Sequence, residues 1–169
     1  MRVVLLIALA YLPMLGEARR AATNERARLA SGGIEAPGDV YGVMRVAYPA
    51  AFLLMIVEDV VSGGPLRSAA IAGIALFIAA KAFKWWAILS LGSAWTFRVI
   101  TVPGAPLVTR GPYRLMRHPN YVAVVGELVG FALLAGATAT GPIATILFGI
   151  LMLKRIAIEE RALGLIPDP

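Results

Sequence analysis

The chain's single histidine, His118, stands in its densest run of functional side chains. Residues 107–121 also carry Arg110, Tyr113, Arg114, Arg117, Asn120 and Tyr121. A lone histidine is ordinarily a structural residue satisfied by one neighbour. This one sits between an arginine and a helix-starting proline, with Arg98, Arg110, Arg114 and Arg117 in the same connecting segment. Guanidinium groups bind oxyanions through paired hydrogen bonds, so the segment reads as a functional loop.

A second set of residues draws attention by its setting. Glu127, Lys81 and Lys84 lie inside apolar runs, where ionisable groups are costly and face a cavity or a partner. Asn120, Val124 and Glu127 fall at i, i+4 and i+7, which places Asn120 and Glu127 on one helix face. A purely structural alternative pairs Glu127 with Lys81 or Lys84 across helices, or lets the lysines snorkel to the headgroups. Near the end of the chain Arg155 and Glu159 are four apart, with Glu160 following. The plain reading there is an exposed helix ion pair worth about 0.2–0.5 kcal/mol.

The elements that must position these groups are helices in a membrane. Of 169 residues, 59% are hydrophobic and only 15% charged, against about half and a quarter in soluble domains. No cysteine is present, which excludes disulfides and cysteine nucleophiles, and one histidine is too few for the usual zinc or iron sites. No metal is expected. The net charge of +6 comes from positive residues that punctuate apolar runs instead of sharing a polar face, so nucleic acid is not an expected partner.

A spanning helix needs about 20 mostly apolar residues. The first span is expected over residues 3 to about 16, ending at Arg19 and Arg20, with no signal-peptide cleavage site followed by a polar segment. Residues 23–39 read as a short interfacial helix and turn. A second span covers residues 41–57, with Arg45 low in it and Glu58 and Asp59 at its end, and a third covers residues 68–91. Residues 92–118 read as an irregular basic loop. Pro119 suits the first turn of a fourth helix, expected to run to about residue 137, followed by a turn at 138–142 and a fifth helix from residue 143. The expected fold is therefore an all-α integral membrane protein with about five transmembrane helices in one domain, residues 1–169.

The basic residues of the first and third connections and of the C-terminal end mark the cytoplasmic side, and five spans with the N-terminus outside satisfy them together. Residues 121–153 give only 33 positions for two crossings and a turn, so this hairpin is expected to sit low, towards the cytoplasm.

Taken together, Gly111-Pro112-Tyr113-Arg114, then Arg117-His118-Pro119-Asn120-Tyr121, then Glu159-Glu160 resemble the isoprenylcysteine carboxyl methyltransferase family. Leu91 to Trp95 and Leu107 to Thr109 fit as well, so the resemblance covers about residues 80–163. It implies a membrane methyltransferase using S-adenosylmethionine, with 1–66 as N-terminal helices and 67–169 as the catalytic half. Carried over by motif, Tyr113, Arg117, His118, Tyr121, Glu159 and Glu160 would line the cofactor site, with the backbone of Leu107, Val108 and Thr109 near the adenine. Lys84 would hold the acidic group of the substrate, Arg155 would lie in the same neighbourhood, and Glu127 would support Lys84 from behind.

The residue types suit that cofactor. Arg117 and His118 match its carboxylate, Glu159 or Glu160 its ammonium or diol, and Tyr113 and Tyr121 its adenine or sulfonium. The eukaryotic-type members continue past the paired glutamates with an aromatic segment, whereas residues 162–169 here are short. The chain looks more like small bacterial members that O-methylate long-chain alkylpyrones, a likeness shared by Asn24-Glu25-Arg26 and residues 99–103. A lipophilic small molecule, alkylpyrone-like or a prenylated cysteine, is the substrate this implies, reached from the lipid bilayer of a bacterial inner membrane. Two other readings stay open on sequence: an NADPH-dependent membrane reductase of the sterol type, and a non-catalytic lipid-binding protein whose arginines anchor headgroups.

Overall fold

Apolar runs become helices, and proline and glycine set most of their ends. In the computed structural model, which describes residues 1–167, the order is α1 (Arg2–Ala30), β1 (Ile34–Glu35), α2 (Tyr41–Ser62), α3 (Arg67–Leu91), β2 (Ile100–Thr101), α4 (Pro119–Ala135) and α5 (Thr140–Ala162). Helix α3 stops at Leu91 and α4 opens on Pro119, as the sequence predicts. Gly136 closes α4 in the left-handed conformation, φ 66°, which glycine adopts without Cβ strain. Two segments among the described residues, Arg67–Ala94 and Thr140–Ala162, are long and apolar enough to cross a membrane. The outer surface fits that setting: Leu12, Leu53, Leu54, Ile78, Ile146, Leu147 and Leu153 face outwards, whereas Glu17, Lys81, Lys84, Glu127 and Arg155 are buried.

The core lies between α2, α3 and α4. Phe52, Phe77 and Phe131 are fully buried and pack edge-on or tilted, with Phe52 and Phe131 centroids 4.8 Å apart and Phe77 and Phe131 5.7 Å apart. Helices α3 and α4 approach almost backbone to backbone. A Cβ on Gly130 would stand 2.6 Å from the Phe77 nitrogen, and one on Gly73 would stand 2.7 Å from the Gly130 oxygen. Small residues permit this approach, and close van der Waals packing is the main attraction between helices in lipid.

Three expectations are corrected. The first helix does not end at Arg19 and Arg20. It continues unbroken to Ala30, because Glu17, Ala21, Asn24, Glu25 and Arg28 recur at helical spacing and dock the segment between α3 and α4. Asn24 donates to the carbonyls of Gly92 (3.0 Å) and Trp95 (2.7 Å), Arg28 Nε donates to the Ile100 carbonyl (2.9 Å), and Glu25 accepts from the Phe97 and Arg98 nitrogens. Polarity that reads as an exit from the membrane is the face of one long helix.

The segment 92–118 is also less irregular than expected. Short 3-10 turns occupy Gly92–Ala94 and Gly111–Arg114, and β2 pairs antiparallel with β1, Ile34 opposite Thr101 and Glu35 opposite Ile100. Finally, α4 ends at Ala135 and α5 already starts at Thr140. The earlier start has a physical cause in Glu58 at the end of α2. Its carboxylate accepts from the backbone nitrogens of Ala139 (2.9 Å) and Thr140 (2.7 Å) and from the Thr140 hydroxyl (2.6 Å). These groups belong to the unsatisfied first turn of α5, and they hold the Glu58 carboxyl down to about 2.

Candidate active site

One cavity of about 660 Å³ takes lining from all five helices and from the segment between α3 and α4. Leu107, Val108, Thr109, Tyr113, Arg117, His118, Tyr121 and Glu159 line it at the motif end, and Lys84 and Arg155 line it as well. Glu160 and Glu127 do not face it. Glu160 stands behind the motif and Glu127 behind Lys84.

At the motif end, the start of α4 meets the last turns of α5. Pro119 fixes where α4 begins, which leaves His118 and Arg117 just outside its first turn, opposite Glu159 and Glu160. His118 Nε2 lies 3.2 Å from Glu160 Oε1, its Nδ1 lies 3.8 Å from Glu159 Oε2, and Arg117 reaches Glu160 at 3.5 Å. The Tyr121 hydroxyl donates to Glu159 Oε2 at 2.9 Å. Tyr113 is pushed up by burial and then by the Glu159 charge, so it stays a neutral phenol. Asn120 also lines the cavity, and its Oδ1 is buried without a hydrogen-bond partner among the described residues.

Arg155 does not form the expected ion pair with Glu159. Its guanidinium is spent on three other elements: Nη1 pairs with Asp39 at 2.7 Å, Nε donates to the Tyr121 hydroxyl at 2.9 Å, and Nη2 donates to the Phe97 carbonyl. Asp39 in turn accepts from the nitrogens of Tyr41 (3.0 Å) and Val99 (2.8 Å). A single buried arginine thus joins α5 to α4, to the connection before α2 and to the segment after α3.

The inner wall carries an ion quartet. Glu17 accepts from Lys81 at 2.9 Å and from Lys84 at 2.7 Å, and Glu127 lies 3.0 Å from Lys81 and 3.5 Å from Lys84. The Tyr48 hydroxyl donates to Glu127, and the Lys84 ammonium stands 5.3 Å from the Tyr48 ring centre. Two lysines and two glutamates leave no net charge, which is how charges survive burial. The structural pairing of Glu127 with the lysines is therefore formed, and Lys81 does not snorkel.

Sequence reasoning gave no site role to Glu17, Arg28, Asp39, Arg45 or Tyr48, all of which either line the cavity or hold residues that do. Glu17 carried the same signal as Glu127, an acid inside an apolar run, hidden by reading Arg19 and Arg20 as a helix end. Arg45 carried it too. Asp39 is an ordinary turn aspartate whose partners are distant in sequence, and nothing local marks it.

The arrangement sets acidic and basic side chains, two phenols and free backbone at one end of a cavity. Met14, Met44 and Phe148 supply apolar lining elsewhere in it. Such lining puts groups of both charges beside an apolar surface in one cavity. The model of the isoprenylcysteine carboxyl methyltransferase family matches residues 73–164. The chain is 31% identical to the uncharacterized protein YpbQ of Bacillus subtilis over 94% of this chain and 95% of the relative. It is 26% identical to an uncharacterized protein of Haemophilus influenzae over 83% of each. No solved structure matches.

Proposed function

This chain belongs to the isoprenylcysteine carboxyl methyltransferase family, and from that premise we propose that it is an S-adenosylmethionine-dependent membrane O-methyltransferase acting on a lipophilic acid or enol. The family is one of membrane methyltransferases. The observation that carries the finer reading is the single cavity that joins the Arg117, His118 and Glu159 cluster to an apolar interior. Its volume of about 660 Å³ lies inside the range of about 300–1,000 Å³ usual for such sites.

The residues present fit the cofactor by their donors and acceptors. Arg117 is exposed and reaches Glu160 at only 3.5 Å, so it is free to turn to a carboxylate. Glu159 and the unpartnered Asn120 oxygen suit an ammonium or ribose hydroxyls, the backbone of Leu107 to Thr109 suits an adenine edge, and the rings of Tyr113 and Tyr121 suit a cation or a flat base. When bound, S-adenosylmethionine supplies a sulfonium-bound methyl group that an acceptor oxygen takes by displacement, leaving a neutral thioether. The protein's share is alignment and a poorly hydrated setting. Arg155 holds Tyr121 and the wall segments in place. Lys84, with two of its three hydrogens directed at Glu17 and Glu127, offers the third to the acceptor oxygen. Glu127 keeps Lys84 oriented. An acceptor that arrives as an anion needs no strong base.

We place the motif end on the cytoplasmic side of a bacterial inner membrane, with about five crossings, because Arg19, Arg20 and Arg26 lie in the half of α1 that docks on the segment between α3 and α4, which itself carries Arg110, Arg114 and Arg117. Of the two acceptor types, an alkylpyrone-like polyketide is preferred over a prenylated cysteine on the likeness of Asn24-Glu25-Arg26 and residues 99–103 to the small bacterial members. The test is calorimetric titration of the detergent-solubilised chain with S-adenosylhomocysteine, beside an Arg117→Ala, His118→Ala variant. Saturable binding that the variant loses is expected. Absence of binding in the wild type, with saturable NADPH binding in its place, would overturn the proposal in favour of a reductase.

A further inference from the structure

Most cations that line the cavity have their charge matched by a carboxylate. Lys84 has Glu17 and Glu127, Arg155 has Asp39, Arg98 has Glu25 and Glu35, and Arg117 has Glu160. Two lining guanidiniums have no carboxylate within 4.0 Å among the described residues, Arg28 and Arg45. Arg28 is fixed on the Ile100 carbonyl at 2.9 Å. Arg45 is exposed and makes no hydrogen bond to any described residue, so its guanidinium is free to turn into the cavity it lines.

Arg45 stands in a stripe of α2 in which Tyr41, Met44, Arg45, Tyr48 and Pro49 all line the cavity. These fall at i, i+3, i+4, i+7 and i+8, one face of a helix. Arg45 precedes Tyr48 by a rise of about 4.5 Å, and the Tyr48 ring lies against Lys84. An acid whose reacting oxygen meets the free hydrogen of Lys84 therefore lies against the same stretch of wall that carries Arg45 one turn away from Tyr48. The quartet around Lys84 sums to zero, so until a cofactor's sulfonium stands beside it an anion placed there without another cation would be an uncompensated charge in a low-dielectric wall, which is strongly disfavoured.

We propose that Arg45 is the residue that selects an acidic acceptor: its unpaired guanidinium in the α2 face of the cavity compensates the acceptor's negative charge, while Lys84 contributes a hydrogen bond and no net charge. The inference deepens the methyltransferase reading and rests on it for the identity of the acceptor. It also places acceptor choice in α2, outside residues 73–164.

The probes are radiolabelled hexadecanoate and hexadecanol, equal in chain length and different in charge, bound to the full chain in detergent at mildly alkaline pH. The wild type is expected to prefer hexadecanoate by about tenfold or more, the worth of one charge-assisted hydrogen bond. Arg45→Ala should lose most of that preference with hexadecanol binding unchanged, and Arg45→Lys should keep part of it. S-adenosylhomocysteine binding by Arg45→Ala reports on folding and on the cofactor end. An Arg45→Ala protein that retains the preference, or a wild type with none, overturns the proposal, the former outcome leaving Arg45 as a headgroup anchor. An Arg45-dependent preference in a protein that binds no S-adenosylhomocysteine would instead retain Arg45 as the acid's partner and remove the methyltransferase reading.

Discussion

Glu17→Gln is the substitution that most directly tests why this cavity holds its shape. Its carboxylate is 2% exposed and accepts from Lys81 at 2.9 Å and from Lys84 at 2.7 Å. Removing the charge leaves two ammonium groups facing Glu127 alone, a surplus of one positive charge in a wall where no described acid other than Glu127 stands within 4.0 Å of either lysine. Removing one partner of a buried pair costs about 3–5 kcal/mol, mostly for the charge left behind. For a chain of this size that is roughly 6–20 °C in midpoint. The assay is thermal unfolding in detergent followed by the emission of the three tryptophans. The reasoning makes a sharper demand of the double variant Glu17→Gln, Lys81→Met. It restores neutrality, leaving Lys84 with Glu127, so it should be less damaged than the sum of the two single variants by about 2 kcal/mol. If the two losses instead add within about 0.5 kcal/mol, the quartet is not an electrostatic unit and the charge-balance argument is refuted.

Other consequences are as specific. Gly130→Leu should lower the midpoint sharply, since a Cβ there would stand 2.6 Å from the Phe77 nitrogen, whereas Gly149→Ala, with nothing within 4 Å, should leave it unchanged or slightly raised; equal effects would mean that α3 and α4 are not in close contact. Glu58 has its carboxyl lowered from 4.5 to about 2 by its bonds to the start of α5. A carboxyl lowered in the folded state stabilises fully above its unfolded value and loses that contribution as pH falls through the folded one, so the midpoint should decline between those two pH values, and Glu58→Gln should flatten the decline. Arg155→Met should weaken S-adenosylhomocysteine binding about tenfold although Arg155 is assigned no contact with it, because Tyr121 and Asp39 lose their common anchor; calorimetry giving unaltered affinity with only a lower midpoint would reduce Arg155 to a structural role.

Features that depend on neighbours in the chain could be read without coordinates. Apolar run length gave the helices, Pro119 the start of α4, and the glycine after Leu91 the end of α3, because backbone geometry and solvation act over a few residues. The run from Gly111 to Tyr121 stood out by its residue types, whereas Glu159 and Glu160 drew attention only through the family resemblance, since their spacing alone reads as an exposed helix end. Which charges meet was decided only by tertiary structure. Glu17 reaches Lys81 and Lys84 across 64 and 67 residues, and Arg155 reaches Asp39 across 116, distances over which no periodicity carries information. The second half of α1 was misread because polar residues at helical spacing look alike whether they face water or a loop that covers them. Buried charges need partners wherever the fold brings them, so Glu127 could be marked from the sequence with Lys81 or Lys84 as its candidate partner, while the parts of Glu17 and Tyr48 had to wait for the packing of four helices.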